Sequence, residues 1–338
     1  MDKRWIVAGV AGVVLAASAT LVWTAKDDDT GSPDSPGVDA PASVDAAAAG
    51  LGAGRASASA SPSVSASPSP SRTPASPGGF PAPGTTGVPA GWSPKSTRTS
   101  DLRVTAAGSL IEDLRIVGAN LLVDAANVTV RRVEIQGGRI VNDPGSACRN
   151  GLVLEDVSVI RRPGQTTRGD EPAIGPGGYT ARRVKIDGLS EGFRVGGKSV
   201  GCGPVTIEQS FARIRYPDVC GDWHGDALQG YDGPALTIRN TTLELVETSG
   251  CGGTAPFFYP AGQGNTSVTV DRLLVKGSGY PFRLHMPGTV TGLRIVDRSW
   301  GYGPIDVTCS AITKWDASIV TINANYQIAS TVRSQPCG

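Results

Sequence analysis

From Ser109 to its C-terminus the chain rewrites one short phrase: a β-branched run, two polar residues, then a second β-branched run. It reads IEDLRIVG from 111, VTVRRVEI from 128, LVLEDVSV from 152, YTARRVKI from 179, VTIEQSFA from 205, LTIRNTTL from 236 and VTVDRLLV from 268, with a degraded copy, VTGLRIVD, from 290. These starts lie between 17 and 32 residues apart, the period of stacked repeats rather than of a closed globular sheet. Each run is too short and too rich in Val, Ile and Thr for a helix, and the polar pair between runs marks a bend. Strands alternating with bends make a coil, and coils stacked in parallel bury their inward residues in one continuous core.

No long amphipathic helix separates the copies, which argues against a leucine-rich horseshoe or a Rossmann sheet. With units of the form VTV-xx-V-x-I and asparagines at bends such as Asn127 and Asn240, residues 100–335 resemble the right-handed parallel β-helix of the pectate-lyase-like superfamily. The resemblance implies an all-β solenoid of about 7–9 coils, placed at 95–338.

The remaining sequence is of two other kinds. Trp5 to Ala25 carries no charge and no proline, and Lys3 and Arg4 precede it. Such a span is long enough to cross a bilayer, but Ala17-Ser18-Ala19 also offers a small-residue cleavage site, so residues 1–26 are either a retained anchor or a signal peptide. Both readings put the rest of the chain outside the cytoplasm. Residues 27–94 are Ala, Ser, Pro, Gly and Thr with few large apolar side chains, the composition of a disordered tether. Formal net charge is +1, so nothing global calls for nucleic acid, and a monomer is expected.

All six cysteines lie in the repeat region, without CxxC or Cys/His spacing, which in an exported domain argues for disulfides. Cys202 with Cys220, nearly one coil apart, and Cys309 with Cys337 are the favoured pairs.

Counting back from each repeat locates a third strand: EGFRVGG at 191–197, DALQGY at 226–231, PFFYPA at 256–261 and PFRLH at 281–285. With Phe193, Leu228, Phe258 and Phe282 inward, Arg194, Gln229, Tyr259 and Arg283 form one outward column. Tyr231 and His285 lie two positions further on, and Asp306 continues the face. The densest polar cluster, Asp218, Asp222, Trp223, His224, Asp226 and Gln229, immediately precedes and enters one of these strands. The chain has two histidines, and the second, His285, falls on the same face.

An outward strand face flanked by loops forms a long groove suited to an extended polysaccharide. Arg194 and Arg283 match the carboxylates of a uronic-acid chain, because guanidinium pairs with carboxylate through charge-assisted hydrogen bonds. In a lyase, neutralising that carboxylate acidifies the adjacent C–H, and a base removes the proton as the glycosidic oxygen leaves. His224, Asp226, Arg283, His285 and Arg194 are the candidate catalytic residues. Gln229, Tyr231, Tyr259 and Trp223 are candidate sugar contacts, Tyr259 also being a possible base. The resemblance adds an arginine as base, since pectate lyases are thought to use one. Asp222, Asp226 and Glu191 are candidate ligands for Ca²⁺.

The bland alternatives stay open beside these roles. The arginines could form a solvated ladder with neighbouring acids, and the aspartates could satisfy loop amides. Hydrolysis would need two carboxyl groups flanking the bond, which Asp222, Asp226, Glu191 or Asp306 could supply. A module that only binds glycan would use aromatic platforms such as Tyr280, Trp300 and Tyr302. Gly192 to Ser199 fits the phosphate-loop expression GxxxxGKS, but a turn and another strand follow where that loop requires a helix. The Asn-x-Ser/Thr triplets at Asn127, Asn240 and Asn265 read first as bend asparagines.

Overall fold

A computed structural model describes residues 79–145, 147–169 and 171–338. The hydrophobic span at 5–25 and the tether as far as residue 78 lie outside the described residues. The described chain is a parallel β-helix built from a fourteen-stranded and a nine-stranded sheet. Every pairing between named strands is parallel except that of the last two, Ile312–Ile322 and Ile328–Ser334, which run antiparallel.

The phrase seen in the sequence is one pass through the larger sheet. Its first runs stack Val130, Leu154, Ala181, Ile207, Ile238, Val270 and Val290 in register, all fully buried. The second runs stack Ile135, Val159, Ile186, Ala212, Leu243, Val275 and Ile295 in the same way. The bend between runs is a single residue at positive φ: Asp113, Arg132, Asp156, Arg183, Gln209, Asn240, Arg272 and Gly292 in successive coils. Arginine is a poor occupant of that conformation. Each Arg of this column bonds back to the bend of the preceding coil: Arg132 Nε to Asp113 Oδ1 at 2.6 Å, Arg183 Nε to Asp156 Oδ1 at 2.7 Å and Arg272 Nε to Asn240 Oδ1 at 2.7 Å. Asparagine serves the other corners too. Buried Asn265 accepts from Gly233 N and donates to the Gly230 and Pro260 carbonyls, as a bend asparagine should.

The third strands form the nine-stranded sheet, whose inward rungs are Leu121, Ile140, Ile174, Phe193, Leu228, Phe257, Phe282 and Ile305. Phe257 replaces Phe258 as the inward residue. In the Phe257-Phe258 pair either ring satisfies the alternation, and the strand Ala255–Tyr259 settles it because Phe257 stacks on Phe282 at 4.6 Å. The slip carries Tyr259 inward as well. Gly192 to Ser199 crosses the strand Phe193–Gly196 into a short 3-10 turn, Lys198–Val200, and Ser199 N donates to the Asp232 carboxylate, so the phosphate-loop geometry is not formed.

One boundary and one disulfide pairing differ from the sequence reading. Residues 79–94, assigned to the tether, belong to the folded domain. Phe80 is buried with Phe211, Leu274, Val296, Val320 and Tyr326 on the outer face of the larger sheet. From there the segment crosses the coils: Gly87 N donates to Arg183 O, Val88 N to Ser158 Oγ, and Lys95 N to Asp113 O. Composition missed it because a single phenylalanine carries its apolar anchor. The disulfides are Cys148–Cys202, Cys220–Cys251 and Cys309–Cys337. The third was expected, but Cys202 does not pair with Cys220. Cys202 leads into the larger sheet and Cys220 leads into the smaller one, on different corners, and a disulfide needs Cα atoms within about 7 Å. Each instead finds a cysteine at its own corner, with Cα separations of 5.0 and 5.8 Å.

Candidate functional site

The corner entering the nine-stranded sheet carries the longest loops, and three depressions follow one another along it. One of about 370 Å³ is lined by Arg139, Gln165, Arg168 and Ser190. A second, of about 330 Å³, lies between Arg168, Asp222 and Trp223. The third, of about 800 Å³, is lined by His224, Glu247, Tyr280, Arg283, Arg298 and Tyr302 among others. The groove therefore lies beside the sheet face, at its loop-bearing edge.

Trp223 builds the middle of this edge. Its indole N–H donates to Ser190 O at 3.0 Å, and its ring occupies the space that a Cβ on Gly225 would need, 2.1 Å from Cζ2. The indole is thus a buried wedge under the loop, which corrects its reading as a sugar contact. Next to it His224 is left in solvent, with Nε2 3.1 Å from Asp222 Oδ1. Asp222, with 95% of its side chain exposed, is far from the burial of Asp226 and Glu191, so these three do not form one ligand set. Among the described residues no group of three His, Cys, Asp or Glu side chains is arranged to hold a metal ion.

Asp226 is sealed inside. Its Oδ1 accepts from Ala255 N at 3.0 Å, while its buried Oδ2 has no hydrogen-bond partner. Burial, then the nearby Glu191 carboxylate, push the Asp226 carboxyl well above the usual range, against the opposing pull of Arg194 and Arg283. A carboxyl whose folded pKa is raised holds its proton better in the native state. Its contribution is greatest below the unfolded value of about 4 and is lost as pH rises through the folded one. Asp226→Asn keeps the Ala255 bond and replaces the bare oxygen with a donor beside Glu191. It is expected to remove that part of the stability loss toward neutral pH and to gain about 1–3 kcal/mol at pH 7, the usual cost of an unsatisfied buried polar atom. Thermal unfolding of both proteins across pH 4–8 tests this; a variant less stable at every pH contradicts it.

The outward column is Arg194, Gln229, Phe258, Arg283 and Asp306, in register across five strands. Phe258 takes the position read as Tyr259. Tyr259 is fully buried, donates to Pro234 O at 2.6 Å, and burial drives its phenol far up, which removes it from the groove and from any role as a base there. Arg283 reaches from this column into the large cavity. Its guanidinium lies 4.9 Å over Phe258, and its Nε donates to Asp306 Oδ2 at 2.9 Å. His285 Nε2 lies 3.1 Å from Asp306 Oδ1. Burial alone would raise the Asp306 carboxyl, but hydrogen bonds from His285 and Arg283 outweigh it and hold Asp306 below its ordinary value. Arg194 lies further along the column with a buried Nε lacking a hydrogen-bond partner, Gln229 donates to Gln263, and Tyr231 stands exposed opposite Gly196.

The structure therefore brings His224 and Arg283 to one cavity and joins Arg283 to His285 through Asp306. The buried Asp226 does not line that cavity. Sequence reasoning missed Glu247 and Arg298. Glu247 follows the strand Leu236–Val246 in the stretch ETSGCGG, whose glycines signalled only a loop. Its Oε1 accepts from Gly253 N at 2.8 Å, and half-burial raises its carboxyl pKa despite amide bonds that favour the charged form.

Compared with known proteins, the chain matches no family model, no curated protein and no solved structure.

Proposed function

We propose that this chain is an extracytoplasmic polysaccharide-active β-helix protein that performs β-elimination on a uronic-acid-containing glycan. The observation carrying the reading is that His224, Arg283 and Glu247 line one cavity on the loop-bearing edge. Arg283 binds and neutralises the uronate carboxylate, and His224, oriented by Asp222, removes the adjacent ring proton. The C–H electrons form the new C=C bond as the glycosidic C–O bond breaks. Glu247 hands its proton to the departing oxygen, so one proton is taken and one is given. Hydrolysis is less well supported, because it requires two carboxyl groups across the scissile bond and Glu247 is the cavity's lining carboxyl. The resemblance to the pectate-lyase-like superfamily supports the substrate class. Calcium enters no step. Three disulfides fit an oxidising compartment, consistent with export through the N-terminal segment, whether retained or cleaved.

A second reading, binding without cleavage, is favoured by one observation: Arg283 already has an acidic partner in Asp306. Incubation with a panel of uronate polymers, followed by the ultraviolet absorbance of unsaturated ends, separates the two. The expected result is absorbance growth that His224→Ala slows by about 10²–10⁴-fold, the usual contribution of a general base. Binding without absorbance growth establishes the second reading, and unchanged turnover in His224→Ala removes His224 as the base.

A further inference from the structure

Tyr302 is the most exposed large apolar-type side chain of the folded domain, at 82%, and backbone hydrogen bonds tie its loop to the neighbouring one. Gly301 N donates to Ser278 O at 3.1 Å, and Tyr302 N and Gly303 N donate to Gly279 O at 2.9 and 3.2 Å. The Tyr302 ring rests on Gly279, where an added Cβ would fall 2.5 Å from its Cδ2. Tyr280 rests in turn on Gly303, with an added Cβ there 2.9 Å from its Cε1. Each loop thus offers a glycine to the tyrosine of the other. The rings stand 5.7 Å apart at 46°, an open wedge rather than a stack. Trp300 adds a third ring to the cavity lining, and Arg298, with 92% of its side chain exposed, stands at the rim.

An aromatic ring left this exposed forgoes its burial, while the two loops beneath it are joined by backbone hydrogen bonds and by the reciprocal glycine contacts. The geometry points to a stacking subsite for one uronate ring, with Tyr302 and Tyr280 against the apolar C–H face and Arg298 on the carboxylate. It would lie beside, and be distinct from, the His224 and Arg283 contacts. The inference rests on the reading of this groove as a glycan site and adds the part of the ligand held next to the reacting bond. An aromatic face presents apolar surface at low conformational cost, and a guanidinium selects carboxylate over an ester.

The full-length protein is titrated with oligouronates of graded length and with their methyl esters, following binding by isothermal titration calorimetry. Tyr302→Ala is expected to weaken oligouronate binding about tenfold, within the range of aromatic contacts, whereas Tyr302→Phe keeps the wild-type affinity. Arg298→Ala is expected to narrow the preference for acid over ester, leaving the part that Arg283 supplies. The Tyr302 loop is at the surface, and an unchanged thermal midpoint in Tyr302→Ala assigns the loss to the contact. Binding that depends on Tyr302 without any cleavage sinks the elimination reading and leaves the subsite standing. Cleavage with the affinity and KM of Tyr302→Ala unchanged sinks the subsite and leaves elimination standing. If the wild-type protein binds no uronate, both fall.

Discussion

Replacing Cys220 and Cys251 together by alanine is expected to lower the unfolding free energy by about 4 kcal/mol, the chain-entropy value for their loop. The sequence separation is 31 residues. The same change should weaken glycan binding, because this bridge ties the loop bearing His224 to the one bearing Gly252, Gly253 and Thr254, all of which line the large cavity. Removing Cys309 and Cys337 is the matched control. Their separation of 28 residues predicts a similar loss of stability, but their bridge pins the C-terminal tail and joins none of the residues lining the groove. Urea unfolding and oligouronate titration of the two double variants distinguish the effects. Equal losses of binding in both would show that the groove answers to stability alone, and losses below 1 kcal/mol in both would overturn the entropic argument.

Phe80→Ala is expected to cost about 3–5 kcal/mol, the range for a buried phenylalanine truncated in a core. The size follows from its position. Only 3% of the residue is exposed, it packs with five apolar residues from the strands and closing turn beneath it, and the Arg272 guanidinium lies 4.6 Å over its ring. The same substitution in a disordered tether would cost nothing. Denaturant unfolding therefore tests the fold boundary directly: a change under 1 kcal/mol would return residues 79–94 to the tether. Thr242, whose hydroxyl donates to Pro81 O, offers an independent probe, since Thr242→Val should weaken the same contact by about 1 kcal/mol without opening a cavity.

The coil was legible because a strand leaves a period of two and a stack repeats it. Val130, Ile207 and Val270 could be placed from the pattern alone, and they are inward as the pattern requires. The column Arg194, Gln229, Arg283, Asp306 was readable for the same reason. Where two equivalent residues adjoin, as in Phe257-Phe258, alternation has no means of choosing, and the choice fell to a ring stacking in three dimensions. The corner loops have no period at all. The burial of Trp223 depends on Gly169, Gly225 and Gly253 from three different loops meeting around one ring, and the raised carboxyl of Glu247 depends on the loops that cover it. Cysteine pairing required knowing which corner each residue occupies, and sequence distance does not report that.

The segment at 79–94 has a bearing on the order in which this domain is completed. Stacked coils ordinarily touch only their neighbours, so a stack can grow from one end as the chain is synthesised. Phe80 precedes every coil in the sequence, yet it beds against Leu274, Val296, Val320 and Tyr326, which are among the last residues made, while Lys95 of the same segment joins Asp113 of the first long strand. Until the closing hairpin emerges, that ring has no complete bed. Its docking is a signal of completion, after which first and last coils share one covalently continuous clasp and the array can lose its end coils only by releasing it.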